Sequence, residues 1–328
     1  MVEGYCQMSD AIELTDGLAG KSVLVTGASG FIGTHLCQRL IACGARICAV
    51  SREPQRSESR NLQWRQVDVM DIAALRHVCE SVQPRLVFHL ASHVQGAREI
   101  GQVLPTFYGN LASTVHVLTA LSEIGCDRVV LACSQEEPER VDRTTFARSP
   151  YAAAKWASGI YGRMFYELFQ LPVVMPRIFM TYGPNQNDTH KLVPFVTIHL
   201  LRGETPRLGS GHRRADWIYV DDVVEGLLRA AISPGIEGCT FDLGAGSLVS
   251  VREIVDHISE IVGAKVEPEF DVLPDRPFEQ ERSADTTFLF QNLGYRPRTS
   301  LKLGLETTIA WYRRQLNSSH PQHLNSST

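Results

Sequence analysis

The chain has 328 residues, 44% of them hydrophobic and 21% charged, which is enough apolar sequence for one large core or two joined lobes. A net charge of -4 spread along the chain argues against nucleic acid or an anionic membrane as partner, because both attract concentrated Lys and Arg. No apolar run approaches the roughly 20 residues of a membrane-spanning helix, and the N-terminus lacks the pattern of a signal peptide. We therefore expect a cytoplasmic protein.

The two ends of the chain carry little apolar periodicity. Residues 1–20 are of mixed polarity, and residues 317–328 consist mostly of Ser, Asn and His. Such segments bury too little apolar surface to offset the entropy of ordering. We expect a loose N-terminal extension and a disordered tail.

Between these ends, short β-branched apolar runs alternate with helical stretches. This order predicts an α/β fold, a doubly wound parallel sheet of the Rossmann type, over residues 21–180 with returning segments near 216–246. Looser Gly- and Pro-rich sequence over 181–215 and 247–316 predicts a second, smaller substrate-binding lobe. The apolar runs are SVLVTG, RICAVS, LVFHLA, RVVLAC, PVVMPRI and CTFDLG.

The first run leads into a glycine-rich turn and then a helix that we expect to begin near Thr34. Glycines at these places permit a tight turn, close approach of backbone N–H groups to a pyrophosphate, and packing of the helix on the strand. A plain strand-to-helix turn is the alternative for a glycine triplet by itself. The predicted cofactor-binding residues of this loop are Gly27, Ser29, Gly30, Phe31, Ile32 and Gly33.

The second run ends at Ser51-Arg52, where an NAD-preferring site would carry an Asp or Glu for the ribose. Arg52 is suited to the 2′-phosphate of NADP, although a solvated surface arginine is nearly as good an explanation. The cofactor is therefore predicted as NAD or NADP. After the third short strand, Asp68-Val69 would flank the adenine, or Asp68 would cap a turn.

Metal and disulfide chemistry are not predicted. The 8 cysteines are scattered without a CxxC pair, and several lie in apolar segments where free thiols are common. His89 and His93 have a metal-like spacing for a helix, but they lie in a strand and the following loop.

A candidate reaction centre is predicted from two segments. Tyr151 and Lys155 are four residues apart in a predicted helix, so they share one face, and an adjacent ammonium, with the positive nicotinamide ring nearby, would favour the phenolate. The RVVLAC strand ends at Ser134, whose hydroxyl would emerge at the carboxyl edge of the sheet beside that helix.

These motifs resemble the extended short-chain dehydrogenase/reductases, specifically the nucleotide-sugar epimerase/dehydratase family, from Lys21 to about Leu316. The resemblance is carried by GASGFIG, FHLAS at 88–92, SPYAAAK, YGPNQNDTHKLVP and DWIYVDD. It implies that Ser134, Tyr151 and Lys155 form the catalytic triad and that the sugar is oxidised at C4 to a 4-keto intermediate. It also implies further cofactor-binding residues: Leu90, Ala91, Ser92, Asn110 and Arg177.

Gln135-Glu136 bears on the fate of the 4-keto sugar. A carboxylate two residues after the Ser resembles the 4,6-dehydratases, in which it removes the C5 proton, whereas 4-epimerases usually have a small residue there. Gln135 departs from the dehydratase pattern, which has an acid at this place, and Met180 replaces an expected Asn. The alternative for Glu136 and Glu137 is a solvated charged pair.

The resemblance further implies a nucleotide-diphosphate sugar as substrate and a homodimer. Ala215 stands where the family has an arginine for the diphosphate, so Arg213 or Arg214 would take its role. The predicted substrate-binding residues are His93, Gln135, Lys191, Arg213, Arg214 and Arg276.

Two other functions remain open from the sequence. Ser51-Arg52 and Gln135 are compatible with an NADPH-dependent reductase of 4-keto sugars, which would consume cofactor instead of recycling it. A catalytically silent cofactor-binding scaffold is the third hypothesis, and the intact Ser134, Tyr151 and Lys155 argue against it.

Overall fold

A computed structural model describes residues 14–138, 141–275 and 279–318. The chain divides into two compact units. The first unit runs to Phe179 and includes Asp221–Gly244 and Ala284–Pro297. The second unit consists of Met180–Val220, Ala245–Ser283 and the chain from Arg298 onward.

A parallel sheet forms the centre of the first unit. Its strands are β1 (Ser22–Thr26), β2 (Arg46–Ser51), β3 (Leu62–Gln66), β4 (Leu86–His89), β5 (Arg128–Leu131), β6 (Cys133–Ser134), β7 (Val173–Ile178) and β10 (Thr240–Leu243). The order across the sheet is β3, β2, β1, β4, β5, β7, β10, with β6 paired to β7. The chain thus builds outward from β1 in one direction, then crosses over and builds from β4 in the other. This reversal between β1 and β4 is where dinucleotides bind in such sheets.

Helices connect these strands. They are α1 (Phe31–Ala42), α2 (Ile72–Val82), α3 (103–124), α4 (Pro150–Phe169), α6 (Val220–Ile232) and α8 (Thr287–Leu293). Helix α3 has three parts: Val103–Thr106, a π-helical turn at Phe107–Ala112, and Ser113–Ile124. The strand interiors are apolar because both faces of the sheet are covered. Leu24, Val87 and Val129 are fully buried at the centre of the core. The predicted Rossmann sheet is confirmed.

The second unit has its own sheet of three strands. Its strands are β8 (Met180–Tyr182), β9 (Arg214–Tyr219) and β11 (Leu248–Ser250), and its helices are α5 (Leu192–Arg202), α7 (Val251–Val262) and α9 (Leu301–Ser318). β9 is central, parallel to β8 and antiparallel to β11. The buried Asp216 in β9 accepts hydrogen bonds from the backbone N–H groups of Ala245 and Gly246 at 2.7 and 2.8 Å, which fixes the turn that leads into β11.

The structure places several boundaries differently from the sequence-based expectations. Residues 14–18 are helical, with Leu14 and Leu18 buried, so this part of the expected loose extension is ordered by its apolar side chains. Residues 284–297 belong to the first unit, where Phe288 stacks on Phe241 at 4.6 Å between ring centroids. Helix α9 continues to Ser318, two residues into the expected tail. None of the described helices is long and apolar enough to span a membrane.

Candidate active site

The glycine loop after β1 is shaped by contacts that exclude side chains. Gly27 has a φ of +69°, and a Cβ there would lie 2.6 Å from the backbone N of Ala91. A Cβ on Gly33 would lie 2.2 Å from the carbonyl O of Gly27. Helix α1 therefore lies directly against the turn. It begins at Phe31 instead of Thr34, because Gly30 already serves as its N-cap.

This loop fits the pyrophosphate of a dinucleotide. Gly30 has no side chain with which to cap α1, and the first turn consists of the uncharged Phe31, Ile32 and Gly33. The N–H groups at the helix N-terminus and the positive end of the helix dipole are thus available to an anion. The loop follows β1 at the reversal point of the sheet order, where such cofactors bind.

Two further predicted cofactor segments end β2 and follow β3. The hydroxyl of Ser51 lies 3.3 Å from that of Ser29 in the glycine loop, so the two segments meet, while Arg52 is exposed. Asp68 accepts a hydrogen bond from the Met70 N–H at 2.9 Å and shapes a turn, whereas Asp71 caps α2. The carbonyl of Val69 contacts the His116 ring at 3.3 Å.

The segment after β4 is held on both sides. Leu90 and Ala91 donate backbone N–H bonds to Thr26 at 3.1 and 3.3 Å. On the other side, the buried side chain of Asn110 accepts from the Ser92 hydroxyl at 2.8 Å and from the His93 N–H at 2.7 Å. Asn110 lies in the π-helical turn of α3 and also donates to the carbonyl of His93 at 3.2 Å. Asn110 therefore positions Ser92 and His93.

Helix α4 brings Tyr151 and Lys155 to the carboxyl edge of the sheet. Ser149 caps the helix by accepting from the Ala152 N–H at 3.0 Å, and Pro150 occupies its first turn. The side chains of Ser134 and Ser92 lie close enough to the Tyr151 hydroxyl to lower its pKa, although burial outweighs them. The structure thus brings together the predicted Ser134, Tyr151 and Lys155.

The partner of Lys155 is a backbone carbonyl. The predicted RVVLAC strand is interrupted at Ala132, between β5 and β6, and the Ala132 carbonyl accepts a hydrogen bond from the Lys155 ammonium at 2.8 Å. Burial lowers the pKa of Lys155. The pKa of Tyr151 is raised, chiefly by burial and further by the carboxylates of Glu136 and Glu137. The Ser134 and Ser92 side chains lower it, but their effect is smaller. The favoured phenolate, which also depends on the positive nicotinamide ring, therefore stays a prediction for the site with its cofactor bound.

Glu136 lies at the N-terminus of α4, near the phenol. Its Oε2 accepts a hydrogen bond from the Ser149 hydroxyl at 3.0 Å, and its N–H donates to the Ser134 hydroxyl at 3.2 Å. Gln135 donates its backbone N–H to the Ile178 carbonyl at 3.1 Å, which fastens this turn to β7. The exposed Glu136 side chain thus has a defined position in the turn that carries Ser134.

Arg177, a predicted cofactor residue, forms an ion pair with a residue of the same sheet. Its Nε lies 2.7 Å from Oδ1 of Asp242, and both side chains are largely buried. The two residues face each other in the paired strands β7 and β10. Their distance of 65 positions in the sequence hid this ion pair from sequence analysis.

The predicted substrate residues of the second unit are only partly brought together. Arg213 forms an ion pair with Glu279 at 2.7 Å, and Arg214 forms one with Glu281 at 3.1 Å. Lys191 is the N-cap residue of α5. Arg276 lies outside the described residues.

His89 and His93, whose spacing resembles that of metal ligands, have other partners in the structure. His89 lies between the hydroxyls of Thr26 and Thr114, at 2.7 and 3.2 Å, and burial lowers its pKa to about 3. His93 contacts Gln102 at 3.1 Å instead. Within the described residues, no group of three or more His, Cys, Asp and Glu side chains is arranged to hold a metal ion.

Glu137 is a residue of the site that the sequence does not reveal. The alternative of a solvated pair with Glu136 does not hold for Glu137, because its side chain is 5% exposed and its Oε1 accepts the Ser134 N–H at 2.8 Å. The adjacent acids look alike in the sequence. Gly159 in α4 lies against this carboxylate, since a Cβ there would be 3.4 Å from Oε2 of Glu137.

A Rossmann sheet, a glycine loop at its reversal point, and a Ser, Tyr and Lys at its carboxyl edge together define a short-chain dehydrogenase/reductase fold and site. The model of the NAD dependent epimerase/dehydratase family matches residues 23–244. The chain belongs to this family of enzymes.

Individual relatives include both kinds of enzyme in the family name. The chain is 32% identical over 313 residues to a UDP-glucose 4-epimerase of Mycolicibacterium smegmatis, covering 88% of this chain and 98% of the relative. It is 27% identical to a dTDP-glucose 4,6-dehydratase of an Actinoplanes species, covering 89% and 97%.

Solved structures agree with the fold. A UDP-glucose 4-epimerase of Thermotoga maritima with UDP-glucose superposes with a TM-score of 0.81 and 26% identity, covering 90% of this chain and 99% of that one. The enzyme WbmF of Bordetella bronchiseptica, in complex with NAD+, gives a TM-score of 0.79 and 26% identity, covering 92% and 95%.

Proposed function

We propose that this protein is an NAD(P)-dependent enzyme that oxidises a nucleotide-linked sugar at C4 and acts on the resulting 4-keto sugar. The observation that carries the proposal is the buried Tyr151 phenol, which lies beside the Ser134 and Ser92 side chains at the carboxyl edge of the sheet, with Lys155 one helical turn away. The family of the chain and its similarity to a nucleotide-sugar epimerase and dehydratase support the choice of substrate class.

The residues of the site have separate roles in the proposed reaction. Tyr151 accepts the proton of the sugar O4 hydroxyl, and Ser134 donates a hydrogen bond to the same oxygen, as general acid/base chemistry requires. Lys155, one helical turn from Tyr151, supplies the positive charge that favours the phenolate during proton transfer in this proposal. Its bond to the Ala132 carbonyl holds the ammonium in place.

A dinucleotide fits the first unit through the glycine loop, Ser29, Ser51 and the segment from Leu90 to Ser92. When bound, its nicotinamide ring accepts the hydride from sugar C4. We propose NAD as the cofactor, in keeping with the family. Arg52 favours NADP as the alternative, because an exposed guanidinium at the end of β2 is suited to a 2′-phosphate. Dissociation constants for both cofactors, in the wild type and in Arg52→Ala, decide between them.

We propose 4-epimerisation as the outcome. Elimination of water across C5 and C6 needs a base for the C5 proton and an acid for the departing C6 hydroxyl. Glu136 is a suitable base, but Gln135 provides an amide where an acid is needed. Re-reduction of the 4-keto sugar on its opposite face needs neither group, and it regenerates the oxidised cofactor.

The second candidate is 4,6-dehydration. It is favoured by the defined place of the Glu136 carboxylate, which is bonded to the Ser149 hydroxyl at the N-terminus of the helix that carries Tyr151. In this reaction Glu136 removes the C5 proton, and Glu136→Gln abolishes loss of water while oxidation at C4 persists.

We also propose that two copies of the chain associate through α3 and α4. These neighbouring helices expose Leu104, Phe107, Ile160 and Tyr161, and an apolar groove lies between them at Phe107, Leu111 and Ala157. Adjacent helices with exposed apolar side chains suit a self-complementary helical interface. Light scattering should give a dimer mass for the wild type and a monomer mass for Ile160→Glu.

The test of function is incubation of the purified protein with UDP-glucose or dTDP-glucose, with and without added cofactor. Product mass is followed by mass spectrometry and stereochemistry by NMR. Unchanged mass with an inverted C4 centre supports epimerisation, and loss of one water supports dehydration. Turnover that requires both a 4-keto sugar and NADPH, with a gain of two hydrogens, contradicts the proposal and indicates the reductase.

A further inference from the structure

Glu137 is a buried acid in the turn beneath the candidate catalytic serine. Its carboxylate accepts the backbone N–H of Ser134 at 2.8 Å, and the Ser134 carbonyl in turn accepts the N–H of Glu137 at 3.1 Å. The neighbouring Glu136 is exposed, so the two acids point to different surroundings. Glu137 thereby holds the backbone that presents the Ser134 hydroxyl.

Titratable and charged groups face this carboxylate from several elements. The thiol of Cys133 in β6 and the ammonium of Lys155 in α4 lie close enough to Glu137 to lower the pKa of its carboxyl. Arg177 in β7 acts on it as well, and is itself paired with Asp242 in β10 at 2.7 Å. Glu137 thus lies among the groups that surround the base of the candidate reaction centre.

The carboxylate also acts on the two groups that handle the proton. Burial raises the pKa of Tyr151 and lowers the pKa of Lys155; the negative charge of Glu137 adds to the first effect and opposes the second. Burial raises the pKa of Glu137 to about 7, although the Ser134 N–H, Lys155, Cys133 and Arg177 act in the opposite direction. Glu137 therefore changes its charge near neutral pH.

We propose that Glu137 is a positioning residue for the reaction, which fixes the Ser134 backbone and, by gaining or losing one proton, changes the electrostatic field at Tyr151 and Lys155. It contacts neither sugar nor cofactor in this account and acts through the neighbouring residues. This inference rests on the proposed function, because it assigns Glu137 a part in that same proton transfer.

The test compares the pH dependence of kcat in the wild type and in Glu137→Gln. The amide keeps the shape of the side chain and an oxygen for the Ser134 N–H, but it carries no charge. We expect an inflection near pH 7 in the wild type that is missing in the variant, with a change in kcat of about tenfold across it, as one pKa unit at Tyr151 would cause. A variant that keeps the wild-type inflection overturns the proposal.

Gly159→Ala provides a second variant that leaves the charge in place. The added methyl would lie 3.4 Å from Oε2 of Glu137, an ordinary contact, and alanine favours the helix over glycine. Because the methyl excludes more water from the carboxylate, the inflection in kcat should move to higher pH. If Glu137→Gln does not fold, this variant decides the test, and an inflection that stays in place contradicts the proposal.

A readout without substrate separates the two proposals. Because the folded-state pKa is raised above the ordinary value of 4.5, Glu137 makes the wild type lose stability as pH rises from about 4.5 through 7. Glu137→Gln should lack this part of the loss. If the two proteins differ in this way but the wild type converts no nucleotide sugar, the proposed function is overturned, whereas identical pH dependence in both proteins overturns the role of Glu137.

Discussion

The catalytic segment of the first unit and the arginine segment of the second are held in different ways. Ser134 and Lys155 are 6% and 5% exposed; the Ser134 hydroxyl accepts the Glu136 N–H, and the Lys155 ammonium donates to the Ala132 carbonyl. The side chains of Arg213 and Arg214 are 32% and 55% exposed and bind carboxylates of nearby loop residues. Buried groups with fixed partners are preorganised for one geometry, whereas exposed ion pairs exchange partners at little cost. Changes in the first segment should therefore affect kcat, and changes in the second should affect KM.

The largest effect is expected for Tyr151→Phe. Loss of the hydroxyl removes the proposed acid/base, and kcat should fall by about 10² to 10⁴-fold. The affinity for NAD, measured by fluorescence titration, should change little. Tyr161→Phe, on the same helix but exposed, is the matched control and should keep full activity. A Tyr151→Phe enzyme within tenfold of the wild type would contradict the assignment.

The buried His89 should make the first unit sensitive to acid. Its pKa of about 3 in the folded protein lies below the ordinary value of 6.5, so the unfolded chain takes up the proton first as pH falls. Stability from this residue is present above pH 6.5 and is lost on acidification, with a limiting slope of about 1.4 kcal/mol per pH unit.

The measurement for His89 is urea unfolding at several pH values between 7 and 4, for the wild type and for His89→Gln. Glutamine offers a donor and an acceptor to Thr26 and Thr114 but does not titrate. The wild type should lose stability more steeply than the variant. Parallel curves would show that His89 does not set the acid sensitivity.

Gly33→Ala tests the contact that shapes the cofactor loop. Its Cβ would lie 2.2 Å from the Gly27 carbonyl, a backbone atom, so the loop or α1 must shift. We expect a loss of about 1 to 3 kcal/mol in the free energy of unfolding and weaker NAD binding. Gly101→Ala, where nothing lies within 4 Å of the new methyl, is the control. Equal stability of both variants would refute the steric argument.

The smallest effect is expected in the arginine segment. If Arg213 exchanges Glu279 for the diphosphate of the substrate, Arg213→Ala should raise KM about tenfold and leave kcat nearly unchanged, because it removes binding shared by ground and transition states. Glu279→Gln releases the arginine from its ion pair and should leave KM the same or lower. A fall in kcat alone for Arg213→Ala would place this residue elsewhere in the reaction.

The glycine loop and the Tyr151 and Lys155 pair were predictable because local spacing determines them. Gly27 and Gly33 act within one turn, and residues four apart on a helix share a face whatever packs around it. The parallel sheet with helices on its faces follows similarly from the alternation of strands and helices.

The remaining features depend on contacts distant in the sequence. Arg177 pairs with Asp242 of the adjacent strand. Lys155 donates a hydrogen bond to the Ala132 carbonyl, which lies at the interruption between β5 and β6. Glu137 and Glu136 differ only in which side of a turn each faces. The pKa of Tyr151 likewise reflects burial and two carboxylates that only the folded chain brings near it.

The most direct test of the proposed reaction uses a nucleotide sugar carrying deuterium at C4, with mass spectrometry and NMR of the product. Because the same hydride leaves and returns in the proposed epimerisation, we predict deuterium at the inverted C4 centre, unchanged product mass and no net consumption of cofactor. Deuterium at C6 with loss of water would indicate the dehydratase instead. Deuterium that accumulates on released cofactor, or a sugar that stays unoxidised at C4, would contradict the account.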